Sequence, residues 1–320
     1  MDIASRAWVD SPPDEIVLSV VVTTFNYAHV VGRAIESVLS QLGASSELLV
    51  IDDGSQDETE AVLRDIAVPH DIRAAFYRQR NAGPAAARNV ALQYCAGSWV
   101  LFLDGDDMLQ PGSLDTILDV LDKHPDVDLL LGGHVVHFPD GREKYRKPSK
   151  LPATARQRLI DYLIHKRVSV SHGCAVFRRS RLGARPYPEK LRQGEDIAVF
   201  AYMLSCPTCI TVDAPLATIF KHPDSLRNDV GLAISTVGVI TDAVFSRLPP
   251  EMREYRKTYE AQRALSAFRT CYKAGRFEEA RMFYSMAFNL SPYQTAKRLY
   301  LWKRLRMSLV FRQVFRRARL

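Results

Sequence analysis

The chain has 320 residues, 47 % hydrophobic and 25 % charged, which suits one large or two modest soluble domains with a substantial core. No window approaches the ~20 uninterrupted apolar residues of a spanning helix, and the N-terminus lacks a signal peptide's basic-then-apolar pattern. Five scattered cysteines, Cys95, Cys174, Cys206, Cys209 and Cys271, argue against a secreted disulfide scaffold, so a cytoplasmic protein is expected.

The net charge of +7 is placed unevenly. Residues 291–320 hold nine Lys or Arg and no acid, and the rest carries 34 basic against 36 acidic residues, a balance of −2. The basicity therefore belongs to the tail.

Four strand-and-helix alternations occupy the first 125 residues. "LSVVVTT" (18–24) is a continuous β-branched run, the pattern of a strand covered on both faces. "HVVGRAIESVLSQ" (29–41) carries Val31, Ile35, Val38 and Leu39 at helical spacing, and "ELLVIDD" (47–53) is the second strand. Ser55 or Asp57 is a natural cap for the helix after it. "IRAAFYR" (72–78) reads as a weaker third strand. "NAGPAAARNVALQYCAG" places Pro84 in a helix's first turn and Gly97 past its end. "WVLFLD" (99–104) is the fourth strand, and "GSLDTILDVLDKH" the helix that follows it.

Such alternation implies a mostly parallel sheet with helices on both faces. Ligands on these sheets bind beyond the carboxyl ends of the strands. Thr23, Thr24, Asp52, Asp53, Asn81 and the acids of 104–107 all fall at that rim.

The middle of the chain is more mixed. "VDLLLGGHVVHFPDGREKY" reads as a hairpin turning at Asp140-Gly141. "TARQRLIDYLIHK" is a helix, "CAVFRR" a strand and "GEDIAVFAYMLS" a helix with acids at its start, while "CITVDAPLATIFKH" supplies one or two closing strands. From 229 onward the signals are helical. Residues 264–292 have the small and aromatic spacing of a single tetratricopeptide-like pair, too few copies for a solenoid. The expected division is a tail at 1–15, an α/β domain at 16–228 and a helical region with the basic tail at 229–320.

The chemistry concentrates in "VLFLDGDDML" (100–109), where an apolar strand ends in Asp104, Asp106 and Asp107. Such crowded carboxylates are costly unless a cation offsets them. A hard divalent ion, Mg²⁺ or Mn²⁺, suits few carboxylates plus substrate phosphates. A solvated acidic loop capping the next helix is the plainer alternative.

Four stretches in order, "LSVVVTTFNYAHVVGRAIESVLSQ", "LLVIDDGSQDETEAVL", "NAGPAAARNVAL" and "WVLFLDGDDML", resemble the family 2 inverting glycosyltransferases. The likeness covers roughly residues 17–225. It implies a GT-A fold, a Rossmann-like, mostly parallel sheet flanked by helices, here with a C-terminal helical extension. The implied donor is a nucleotide-diphosphate sugar, a UDP-sugar by expectation, used with Mn²⁺ or Mg²⁺. The implied acceptor is a glycan or lipid-linked glycan of surface polysaccharide or lipopolysaccharide assembly.

The resemblance also assigns residues. Thr23, Phe25 and Asp53 hold the base and ribose, with Phe25 where relatives often have Tyr; the plainer alternative for Asp53 is a cap for the helix of "GSQDETE". Arg88 is the basic residue facing nucleotide or phosphate, its plainer alternative being an exposed helix Arg. Asp104 and Asp106 match the Asp-x-Asp pair and Asp107 the acid after it. How these acids divide metal and ribose stays open. In "GEDIAVF" Asp196 is the expected general base, with Glu195 as neighbour, acceptor contact or alternate base; two acids at a helix start are also favoured by the macrodipole. His222 is expected near the metal or diphosphate, with Ser225 and Arg227 as weaker candidates. His172 lines the acceptor groove or is a satisfied strand-edge histidine.

Cys206 and Cys209 lie between a helix and a strand, the wrong setting for a redox pair, and read as structural. A nucleotidyltransferase or a Rossmann oxidoreductase would want a Gly-rich loop after the first strand, which "TTFNYAHVVG" is not. A catalytically silent nucleotide- or glycan-binding scaffold at the membrane is the main alternative. In the tail, Trp302, Leu305, Phe311 and Phe315 mix with the nine cations. Peripheral contact with an anionic inner membrane face is the expectation, with no nucleic-acid partner.

Overall fold

The computed structural model describes residues 6–7, 16–70, 72–221, 230–296 and 300. It falls into two compact units, residues 1–223 and 224–320.

The first unit is built on a ten-stranded sheet. In chain order its strands are β1 (Arg6–Ala7), β2 (Leu18–Thr24), β3 (Ser46–Asp52), β4 (Arg73–Arg78), β5 (Trp99–Asp104), β6 (Met108–Leu109), β7 (Leu129–His137), β8 (Glu143–Arg146), β9 (Ala175–Arg178) and β10 (Cys209–Phe220). Their spatial order is β1-β4-β3-β2-β5-β9-β7-β10-β6, with β8 on the side of β7. The β4-β3-β2-β5 block is parallel, with Thr24 beside Asp52 and Thr23 beside Asp104. That register brings the carboxyl ends of β2, β3 and β5 level. β9 then runs antiparallel to both β5 and β7, while β7 and β10 are parallel.

Helices α1 (Val31–Leu39), α2 (Thr59–Asp65), α3 (Pro84–Tyr94) and α4 (Ser113–Lys123) connect the parallel strands. Every residue of β2 and β3 is buried, as their unalternating apolar centres at 20–22 and 48–51 require when both faces are covered. Leu18, Val20, Val22, Ile35, Val38, Leu48, Val50, Leu101, Leu103 and Ile117 belong to one core cluster. Asp57, rather than Ser55, serves the start of α2: its Oδ1 accepts from the Thr59 amide and hydroxyl. α3 begins at Pro84 behind Gly83 at φ 92°, a backbone angle that suits glycine.

The remaining helices of this unit are α5 (Ala155–Ile160), continued by a π turn at Asp161–His165, then α6 (Arg179–Leu182) and α7 (Glu195–Leu204). The expected hairpin is present, with β7 and β8 antiparallel and Gly141 at φ 80° in its turn. The closing segment is one strand, β10, with register shifts between Thr211 and Ala217. Arg158 collects the Leu204 and Cys206 carbonyls at the end of α7.

The second unit contains α8 (Val230–Ser235), α9 (Val237–Phe245), α10 (Arg256–Lys273), α11 (Phe277–Leu290) and α12 (Pro292–Thr295). α10 and α11 form the expected helical pair, turning at Gly275 with φ 73°. Phe268, Cys271, Ala280, Phe283 and Ala287 share its core, and the Phe268 and Tyr284 rings meet at 5.7 Å. The basic residues of 301–320, and the earlier Lys297 and Arg298, lie outside the described residues.

Candidate functional site

The acid cluster sits where β5 ends. Gly105 donates its amide to the Thr23 carbonyl at 2.9 Å. A Cβ on Gly105 would stand 3.0 Å from Thr24 Cβ and 3.1 Å from Thr23 O, so the turn depends on the missing side chain. One ligand atom from each of Asp104, Asp106 and Asp107 lies within 4.8 Å of the others. Asp107 is buried, and its Oδ1 accepts from the Phe220 amide at 3.0 Å, tying the cluster to the end of β10. Burial and then the charges of Asp104 and Asp106 push the Asp107 carboxyl well above the ordinary carboxylate range. Crowding of this kind is what a divalent cation relieves, and an all-oxygen donor set suits Mg²⁺ or Mn²⁺.

Two residues not anticipated from the sequence frame Asp106. The Tyr27 hydroxyl lies 3.4 Å from its Oδ2, and Arg33 donates to its main-chain carbonyl at 3.0 Å. Burial foremost, with the neighbouring acids, keeps the Tyr27 hydroxyl protonated far above its ordinary range. Arg33 also stacks on Phe220, its guanidinium carbon 3.7 Å from the ring centroid. Tyr27 lies two residues beyond Phe25, and its spacing carried no signal of the long contact.

Asp53 shapes the other half of the rim. Gln79 Nε2 and the Ala82 amide donate to its Oδ1 at 2.6 and 2.9 Å, and the Gly83 amide donates to Oδ2 at 2.8 Å. The carboxylate therefore holds the loop from β4 into α3, and it does not cap α2. Gly54, Ser55, Gln56, Arg78, Gln79, Arg80 and Asn81 line a cleft beside it. Asp52 turns the other way, taking the Ser55 amide and hydroxyl on Oδ1. Phe25 is 38 % exposed, whereas Thr23 is buried.

Arg88 is neither an exposed helix residue nor turned to open solvent. Its side chain is 5 % exposed and bridges two carboxylates, Nη2 to Asp104 Oδ1 at 2.6 Å and Nη1 to Glu195 Oε1 at 2.8 Å. The next residue, Asn89, accepts from the Tyr187 amide at 3.0 Å and donates to the Tyr187 carbonyl at 2.9 Å. α3 thus anchors the segment leading into α7. Glu195 is the first residue of α7 and buried, with Asp196 beside it and less buried. Gly194, at φ 76°, makes the turn before them.

His172 is buried, its Nε2 3.0 Å from the Tyr187 hydroxyl and its ring among Phe102, Phe177 and Phe200. It is a satisfied interior histidine in a 3₁₀ turn rather than at a strand edge. Cys206 and Cys209 are free thiols whose sulfurs meet main-chain carbonyls at the end of α7. Burial pushes the Cys209 thiol up to about 12, which makes it inert as a nucleophile. His222, Ser225 and Arg227 lie outside the described residues.

The family model described as Glycosyl transferase family 2 matches residues 19–183, just over half of the chain. The succinoglycan biosynthesis protein ExoO of Rhizobium meliloti is 31 % identical over 208 residues, covering 62 % of this chain and 58 % of ExoO. The UDP-Glc:alpha-D-GlcNAc-diphosphoundecaprenol beta-1,3-glucosyltransferase WfgD of Escherichia coli is 32 % identical over 124 residues, covering 38 % of this chain and 47 % of WfgD. The chain thus spans about half the length of these two relatives. Among solved structures, S. aureus TarS residues 1–349 superposes with a TM-score of 0.63 at 20 % identity, covering 87 % of this chain and 81 % of that one. A likeness at that identity speaks to the fold, which is that of the GT-A glycosyltransferases.

Proposed function

Because the chain belongs to glycosyl transferase family 2, we propose that it transfers a sugar, with inversion, from a nucleoside diphosphate sugar to a glycan or lipid-linked glycan of a cell-surface polysaccharide. A UDP-sugar is the favoured donor: WfgD is named for UDP-Glc, and TarS has been solved with UDP-GlcNAc. The lipid-linked acceptor in WfgD's name supports an acceptor of that class here. ExoO's part in succinoglycan synthesis supports the polysaccharide setting.

The observation that carries the reading is the meeting of three carboxylates, the Asp53 loop and the Glu195–Asp196 helix start at one end of the sheet. In the assigned roles the cleft beside Asp53 takes the nucleoside and Phe25 stacks on the base. Asp104, Asp106 and Asp107 would hold Mn²⁺ or Mg²⁺, His222 being a further ligand by resemblance alone. When bound, that ion offsets the charge on the departing diphosphate. Asp196 accepts the acceptor hydroxyl's proton as its oxygen bonds to the anomeric carbon. The opposite bond, from that carbon to the diphosphate oxygen, breaks, and the nucleoside diphosphate leaves with the electron pair. The basic tail would keep the enzyme near an anionic membrane surface, on the cytoplasmic side where such donors are available; no helix among the described residues is long and apolar enough to cross a membrane.

The test is a panel of UDP-glucose, UDP-N-acetylglucosamine and GDP-mannose, with and without Mn²⁺, read by thermal shift and by release of nucleoside diphosphate. One donor should raise the melting point only with the metal present, through linkage, and should be slowly hydrolysed. A donor that binds but is never hydrolysed or transferred supports the silent scaffold instead. Stabilisation that ignores the metal refutes the role given to the three acids.

A further inference from the structure

Arg88 stands between two carboxylates that serve opposite ends of the proposed reaction. Asp104 belongs to the acid cluster and its side chain is 42 % exposed, whereas the Glu195 side chain is 10 % exposed and opens α7 next to Asp196. The planar guanidinium offers one nitrogen to each, which a lysine head could not do with the same geometry. The rest of its surroundings are fixed. Its carbon lies 5.6 Å from the Tyr187 ring centroid, and Asn89 holds Tyr187 by two main-chain hydrogen bonds. Arg88 Nε is buried without a partner among the described residues. One positive charge is therefore shared by two acids inside a packed site.

We propose that Arg88 couples the acid cluster to the acceptor-side helix, so that cation binding at Asp104 and the setting of Glu195 and Asp196 are linked through its guanidinium. The inference rests on the reading of the acid cluster as the cation site and of α7 as the base segment. It departs from the nucleotide- or phosphate-facing role that the family resemblance implies for this residue. A divalent cation at Asp104 draws that carboxylate's charge to itself and leaves Arg88 to Glu195, fixing the start of α7. Conversely, neutralising Glu195 turns the whole charge of Arg88 onto Asp104 and weakens the cation. Linkage makes the two effects equal. Arg88 is thus a positioning residue, acting through groups that touch the substrates.

The experiment is a calorimetric titration of Mn²⁺ at saturating UDP, on the full chain and on E195Q, R88K and the double variant. E195Q removes a charge outside the acid cluster, and it should weaken Mn²⁺ about fivefold or more, the lower end of ordinary coupling. In the R88K background the same change should move Mn²⁺ affinity by less than about twofold. An unchanged affinity in E195Q, or an equal loss with and without Arg88, overturns the coupling alone. A wild-type chain that takes up no Mn²⁺ overturns the reading of the cluster and the coupling with it. Should E195Q not melt cooperatively, R88K carries the test: its Mn²⁺ affinity must shift at least threefold or so, since the lysine reaches one acid only. A tenfold or greater loss of metal-free UDP affinity in R88K would mark Arg88 as a phosphate ligand and overturn the proposal.

Discussion

At the scale of single residues, the two neighbours Glu195 and Asp196 are treated very differently by their surroundings. Glu195 is buried and ion-paired to Arg88, which commits its carboxylate to the interior, whereas Asp196 is less buried at the same helix start. That contrast favours Asp196 as the proton acceptor. Asp196→Asn should lower kcat by about 10²- to 10⁴-fold, the range for loss of a positioned base, while calorimetry finds nucleotide affinity within about threefold. Full transfer by this variant would remove Asp196 from the mechanism. His172 offers a separate test because burial, and secondarily the Arg88 charge, hold its imidazole pKa well below the ordinary 6.5. The groups around it are Tyr187, Arg88 and Asp104, together with three phenylalanines. A histidine held neutral in the fold binds fewer protons than the unfolded chain once the pH falls below 6.5. Stability is therefore present above that value and declines as the pH falls through it towards the depressed folded pKa. Melting curves from pH 7.5 to 5 should show that decline, and His172→Gln should flatten it; an equal slope in both would assign the acid sensitivity to other groups.

At the scale of elements, the rim of the site depends on how closely two turns approach. Gly54 has φ 76°, and a Cβ there would lie 2.8 Å from the Asn81 amide nitrogen and 2.9 Å from the Gln79 carbonyl. Gly54→Ala should therefore cost about 1–2 kcal/mol for the left-handed backbone and about 1–3 kcal/mol for the forced contact. Differential scanning fluorimetry should read a midpoint roughly 4–10 °C lower, with nucleotide affinity falling as the Asp53 loop opens. A variant that melts and binds like wild type would show that the two turns are not mutually seated. These elements also mark what the sequence made legible. The unbroken apolar runs of β2, β3 and β5 and the Pro84 helix start were readable because burial on both faces and a fixed φ each leave a local pattern. Spatial order was not: nothing in "CAVFRR" says that β9 inserts antiparallel between β5 and β7, since strand pairing is decided by contacts far apart in the chain. Arg88 shows the same limit within the site. Its helix was evident, but both partners lie on other elements, 16 and 107 residues away. Tyr27 and Gln79 were missed for that reason too.

At the scale of the whole molecule, the net charge is concentrated in one short stretch of the sequence. All nine cations of residues 291–320 fall between Lys297 and Arg319, and without them the chain carries −2 rather than +7. They are interleaved with Trp302, Leu305, Phe311 and Phe315, so the segment offers both electrostatic attraction and apolar side chains to an interface. Each Lys or Arg near an anionic leaflet contributes about 1 kcal/mol before screening, and nine would give strong binding at low salt even if half engage. A lipid-linked acceptor makes that attachment useful, because it restricts the search for substrate to the membrane plane. Sedimentation with vesicles of neutral lipid, and of neutral lipid with 30 mol % or so anionic lipid, should retain the full chain only on the anionic set. Raising salt from about 0.05 to 0.5 M shortens the Debye length severalfold and should release most of it. A chain ending at Tyr300, which keeps α12 and the Tyr300 ring 6.0 Å from Phe268 but drops seven of the nine cations, should stay in solution under every condition while melting like the full protein. If the shortened chain still sediments with anionic vesicles, the attachment lies elsewhere on the molecule. If the full chain fails to bind at low salt, the tail's charge is addressed to some partner other than lipid.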